Sequence, residues 1–140
     1  MGTFKSFEEM EVWQRSRALA NKIFKMYQEG NFSKDFKLRD QMNGSSGSIM
    51  DNIAEGFERN GNREFIQFLA IAKGSAGEFR SQLYRALDRC YLSETAFAEL
   101  IAETFTIGKL LSGLIRYLNS TNRRGAKFPN TPLSPKPKPR

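Results

Sequence analysis

Gly44-Ser45-Ser46-Gly47-Ser48 and Gly74-Ser75-Ala76-Gly77 both interrupt long helical patterns with residues that carry almost no side chain. If the two stretches form an antiparallel hairpin turning near Asn60-Gly61, facing positions have numbers that sum to about 121. Gly44 then meets Gly77, Gly47 meets Gly74, Ser45 approaches Ser75 and Asn43 approaches Glu78. Glycine in a helix interior costs about 1 kcal/mol relative to alanine. Four of them at matched positions therefore predict two helix backbones in unusually close approach, and with that a helical bundle.

The rest of the chain agrees. All five prolines (Pro129, Pro132, Pro135, Pro137 and Pro139) fall near the C-terminal end. Proline breaks helix interiors, so the long proline-free stretch before them favours an all-α body. Periodicity and punctuation predict four helices. The first covers 7–29, opened by Ser6 with Glu9 three residues on as a capping box and ended by Gly30-Asn31. The second covers 34–59, with Ser33 as its cap and Leu38, Met42, Ser45, Ile49, Ile53 and Phe57 recurring at helical steps. Asn60-Gly61 stops it, and Asn62 is placed to cap the third helix at once, which runs to 91. Ser93 caps the fourth, where Phe97, Leu100, Ile101, Phe105, Leu111, Leu114, Ile115 and Leu118 make a wide apolar face.

Short connections force antiparallel neighbours, hence an up-down-up-down four-helix bundle over residues 1–120. Residues 121–140 read as a disordered, basic, proline-rich tail, since the alternation ending in Lys138-Pro139-Arg140 favours extended polyproline II and builds no core. Apolar residues also spill beyond one stripe per helix, at Leu19, Met26, Ile66, Ile71 and Leu110. A monomeric bundle needs only one such stripe, so the surplus points to a subunit interface or to scattered surface exposure.

The net charge of +7 belongs to the tail more than to the body. Six of the 22 basic residues and none of the 15 acidic ones lie in 121–140, which leaves 16 against 15 in the remainder. There is no histidine, so the commonest general base and the commonest metal ligand are both missing. Asp51, Glu55 and Glu58 are the nearest thing to a carboxylate cluster, but bundle di-iron sites draw on Glu-x-x-His pairs. The reading is of a protein that is not an enzyme and takes no metal or cofactor. A single cysteine, Cys90, excludes an internal disulfide. With neither a signal-peptide pattern nor an apolar run near the ~20 residues of a membrane helix, the expected location is cytoplasmic, with no membrane association.

Several stretches together resemble the four-helix-bundle proteins known as intervening-sequence proteins of large-subunit ribosomal RNA. They are Phe7-Glu8-Glu9-Met10-Glu11-Val12-Trp13-Gln14, Gln41-Met42, Ser48-Ile49-Met50-Asp51-Asn52-Ile53-Ala54-Glu55-Gly56, Phe65-Ile66-Gln67-Phe68-Leu69 and Ala72-Lys73-Gly74-Ser75-Ala76-Gly77-Glu78. The similarity spans about residues 4–118. It implies a small cytosolic bacterial protein with no established catalytic activity that assembles as a homopentamer. A relative is the accessory protein of diversity-generating retroelements, which implies nucleic acid and a reverse transcriptase as partners. One departure stands out: where relatives carry basic residues after the counterpart of Gln41, this chain has the uncharged Asn43-Gly44-Ser45-Ser46-Gly47.

Two sets of candidate residues follow. Ser48, Asn52, Glu55, Gly56, Ser75, Glu78 and Gln82 interrupt apolar patterns and are expected to form an inter-helix polar network that sets register, since buried polar groups must be paired. Arg59, Arg63, Lys73, Arg80, Arg85, Arg89 and Arg116, with Arg123, Arg124 and Lys127 near the C-terminus, are the candidate contacts to RNA or DNA. Within this set Lys73 and Arg80 share a face, as do Arg85 and Arg89, with Arg85 also able to pair with Asp88. The aromatics sit at core spacing, so no base-stacking platform is read from the sequence. The expected function is a nucleic-acid-binding or reverse-transcriptase-type accessory factor. The alternative is a protein-binding assembly or adaptor module that binds no nucleic acid.

Overall fold

The computed structural model describes residues 4–123. All regular structure among them is helical: α1 (Glu11–Met26), α2 (Phe36–Glu58), α3 (Asn62–Asp88) and α4 (Glu94–Arg123). The pairings that cross between helices show their directions. Ser48 meets Ser75 while Ser45 meets Gln82, Tyr84 meets Phe97 while Asn62 meets Thr121, and Arg15 meets Glu103 while Lys22 meets Glu99. In each set one number rises as the other falls, so α2–α3, α3–α4 and α4–α1 are all antiparallel. The four helices close into an up-down-up-down bundle.

Phe65, Phe79, Leu38, Ile49, Ile53, Leu83, Leu100 and Leu111 fill the core at 1% exposure or less. The surplus apolar residues mostly join this packing. Leu19 is in the buried core, and Met26, Ile66 and Leu110 pack against it, while Ile71 remains 52% exposed. No helix among the described residues is long and apolar enough to cross a membrane.

Several helix ends differ from the sequence reading. The first predicted helix divides into a 3-10 turn at Phe7–Glu9 and α1, because Met10 adopts extended backbone and buries its side chain in the core. Ser6 makes no capping bond through its side chain, and Glu9 instead accepts from the Lys5 amide at 3.0 Å. A second 3-10 turn, Gly30–Lys34, precedes α2, and Ser33 closes that turn by donating to the Gly30 carbonyl. The cap of α2 is Asp35, whose Oδ1 accepts from the Leu38 amide. Asn62 does not cap α3 either. It is buried, and its amide reaches across to Thr121 Oγ1 at 3.0 Å, tying the start of α3 to the end of α4. Ser93 does cap α4, accepting from the Ala96 amide. That helix continues to Arg123, past the expected boundary at 120, and residues 124–140 of the expected tail lie outside the described residues.

The close glycine crossing is not there. A Cβ built on Gly44, Gly47, Gly74 or Gly77 would meet nothing within 4 Å. The buried face of α2 is Leu38, Met42, Ser45, Ser46, Ile49, Ile53 and Gly56, and the two central glycines lie to its outer side. Which residues face each other is an angular matter set by the 100°-per-residue turn of each helix, not by distance from the connecting turn. Ser48 therefore pairs with Ser75, and Ser45 with Gln82, rather than Ser45 with Ser75 and Asn43 with Glu78. A close approach of the two helices is found instead at Gly56, nearer the turn. A Cβ on Gly56 would sit 2.6 Å from Phe68 Cβ and 3.0 Å from the Phe65 ring.

The polar network exists with a reduced membership. Ser48 Oγ and Ser75 Oγ lie 2.8 Å apart, Asn52 donates to the Ser48 hydroxyl and carbonyl, and Ser45 donates to Gln82, which in turn donates to Glu78. Glu55 stays outside it and pairs with Arg59 at 3.0 Å.

Asp35 ties the far end of the bundle together. Beyond capping α2 it accepts from Arg89 and from the Tyr91 hydroxyl, both at 2.8 Å. The Tyr91 hydroxyl, above all, holds its carboxyl below the ordinary range, assisted by the Leu38 amide and Arg89 against the opposing effect of partial burial. A depressed folded value means that this stabilisation is complete above the unfolded value near 3.8 and is lost as pH falls through the folded one. Tyr91 is raised by the same bond, so its share persists below about 10 and disappears as pH rises through the folded value. Asp35→Asn is therefore expected to melt lower than the parent at neutral pH, with the gap holding down to about pH 3.8 and closing only as pH falls further. Equal melting temperatures for Asp35→Asn and the parent at neutral pH would rule this role out.

Candidate nucleic-acid interface

Lysine and arginine are most available to phosphates where no carboxylate is paired with them. On α3, Lys73 and Arg80 are two helical turns apart and so share one face. On α4, Lys109 and Arg116 repeat the same spacing. The antiparallel packing brings the two pairs to opposite walls of one groove of about 460 Å³. Thr104, Phe105, Gly108 and Ser112 complete its lining, and none of the described residues that line it is acidic. Thr104 is buried, with its hydroxyl donating to the Ile101 carbonyl at 2.7 Å. At Gly108 the lining leaves open space, because a Cβ there would meet nothing within 4 Å. Phe105 is 52% exposed, with the Arg80 guanidinium 4.7 Å from its ring centroid.

The other predicted cations go elsewhere. Arg85 donates to Gln41 Oε1 at 2.8 Å instead of pairing with Asp88, and Arg89 is paired with Asp35. Both serve the α2–α3 packing. Arg59 pairs with Glu55 and lies 5.0 Å over the Phe68 ring, and Arg63 is exposed at the start of α3. Arg123 ends α4, while Arg124 and Lys127 lie outside the described residues. The structure thus unites Lys73, Arg80 and Arg116, adds Lys109 and Phe105, and places Arg59, Arg63, Arg85 and Arg89 apart from them.

Lys109 could have been found from its seven-residue spacing to Arg116, which matches that of Lys73 and Arg80. Phe105 carried no such signal, because its spacing fits the apolar face of α4 and only packing decides that it stays half outside.

A larger groove of about 780 Å³ lies between α1 and α4, but its charges satisfy one another. Arg15 forks between Glu11 at 2.8 Å and Glu103 at 3.0 Å, and Lys22 reaches Glu99 at 3.4 Å. It offers an anion little that water would not. Among the described residues no group of three histidines, cysteines or carboxylates is placed to hold a metal ion.

Comparison with known proteins points one way. The model of the 23S rRNA-intervening sequence protein family matches residues 8–113. The crystal structure of a protein of unknown function from the S23 ribosomal protein family of Bacteroides thetaiotaomicron is similar, with 26% sequence identity and a TM-score of 0.68. The similarity covers 75% of this chain and 98% of that one. No protein with a curated function matches.

Proposed function

Since the chain belongs to the 23S rRNA-intervening sequence protein family, we propose that its bundle is a non-enzymatic, self-associating accessory factor of the cytoplasm that holds RNA or DNA in the α3–α4 groove. The observation that carries this reading is the convergence of Lys73, Arg80, Lys109 and Arg116 on a groove whose described lining has no carboxylate. Four cations that form no ion pair among the described residues release counterions when they meet phosphates, and that release drives binding with little regard to sequence. Its natural role is to present a nucleic acid to a processing enzyme such as a reverse transcriptase.

Self-association, with a homopentamer as the expected form, rests on the exposed Ile71 beside the open glycine backbone of α3. Repeating the groove around a ring would strengthen weak single contacts through multivalency. A monomer mass in light scattering would remove this part of the reading.

The test of binding is fluorescence anisotropy of labelled RNA and DNA oligonucleotides over a range of salt. Affinity is expected to fall steeply as salt rises. Undetectable binding at low salt overturns the nucleic-acid reading and leaves a protein adaptor in its place.

A further inference from the structure

We propose that the α3–α4 groove is built for an unpaired strand, with Phe105 as the surface on which one of its bases stacks. The inference rests on the nucleic-acid reading of the same groove and specifies its ligand. Phe24, Phe36, Tyr84 and Phe105 are all about half exposed or more, but of these Phe105 is the one that lines the groove, 52% exposed among the four cations. Arg80 lies over the ring at 4.7 Å and holds it in place through a cation–π contact. One turn further along α4, Gly108 contributes no side chain and meets nothing, so the space beside the ring is open. Lys109, in the same turn, stands ready for the phosphate attached to a base placed there.

A second half-exposed aromatic extends the track. Tyr84 is 52% exposed and packs edge-on against Phe97 at 4.9 Å, one helical turn along α3 from Arg80. Aromatic surface interleaved with cations is the pattern of single-strand binders, where base stacking is worth far more than a surface charge contact. A duplex keeps its bases stacked on one another and presents only phosphates. It can therefore use the lysines and arginines of this groove but not the phenyl ring.

The experiment compares Phe105→Leu and Phe105→Trp with the parent chain, using a 12-nucleotide single strand of RNA, its DNA equivalent, and the duplex of each. Phe105→Leu is expected to weaken single-strand binding about 5- to 150-fold, in RNA and DNA alike because the ring reads the base and not the sugar. Duplex binding and the salt dependence should stay as in the parent. Phe105→Trp should retain single-strand affinity, and its fluorescence should be quenched by the strand beyond any change at Trp13, the parent's one tryptophan.

Unchanged single-strand affinity in Phe105→Leu, with binding still abolished on neutralising the four cations, overturns the stacking proposal and leaves the phosphate reading intact. Equal losses for single strand and duplex also overturn it, since they mark a change in the groove and not in stacking. If neither form binds the parent, both readings fall together.

Discussion

Gly56→Ala is expected to destabilise the protein by about 1–3 kcal/mol through overpacking, and Gly56→Leu by more, enough to unfold a large fraction of a domain with ordinary marginal stability. The direction is opposite to what helix propensity alone gives, since alanine is the better helix former by about 1 kcal/mol. The atom in the way is Phe68 Cβ, 2.6 Å from where the new methyl would sit. It belongs to the root of a side chain on α3 and cannot swing aside, so the two helices must part. The outer glycines should respond the other way. Gly44→Ala and Gly74→Ala meet nothing within the chain, and each is expected to raise its intrinsic stability by up to ~1 kcal/mol. Thermal melts of the three alanine variants decide the matter. A Gly56→Ala protein that melts at or above the parent would mean that α2 and α3 do not approach closely there.

Neutralising the groove should have the largest effect on function. A variant with Lys73, Arg80, Lys109 and Arg116 all changed to glutamine is expected to lower the salt slope of single-strand binding by about 2.8, at ~0.7 for each phosphate that is no longer neutralised. In the parent, those four cations alone make a fourfold rise in salt weaken binding by roughly fiftyfold. In the variant that share of the salt sensitivity disappears, along with most of the low-salt affinity. Arg89→Gln provides the control, because it removes a cation of the same helix that is occupied with Asp35. It should cost stability and leave the slope alone. If the quadruple variant and the parent share one slope, the phosphates are held elsewhere.

These two outcomes bear on different parts of the sequence reading. The absence of proline from the body, the apolar repeats and the stop at Asn60-Gly61 made four antiparallel helices legible from the residues alone. The resemblance carried by segments such as Ser48 to Gly56 led to the family whose model matches residues 8–113. The candidate site was only partly legible. Seven-residue spacing put Lys73 and Arg80 on one face, but Arg85 and Arg89 looked equally available until Gln41 and Asp35 were found against them. A cation's availability depends on partners from other helices, and one helix's spacing does not contain them.

The sequence by itself determined that there are four main helices and in what direction they run, though not their ends, because hydrophobic period and chain-breaking residues act over a few neighbours. The tertiary structure alone decided how each helix is rotated about its own axis. That rotation turned Gly44 and Gly74 outward, placed Gly56 at the tight crossing, and left Phe105 half outside among the cations. It is set by the joint packing of all four apolar faces around one core, a many-body balance that no single stretch of sequence encodes.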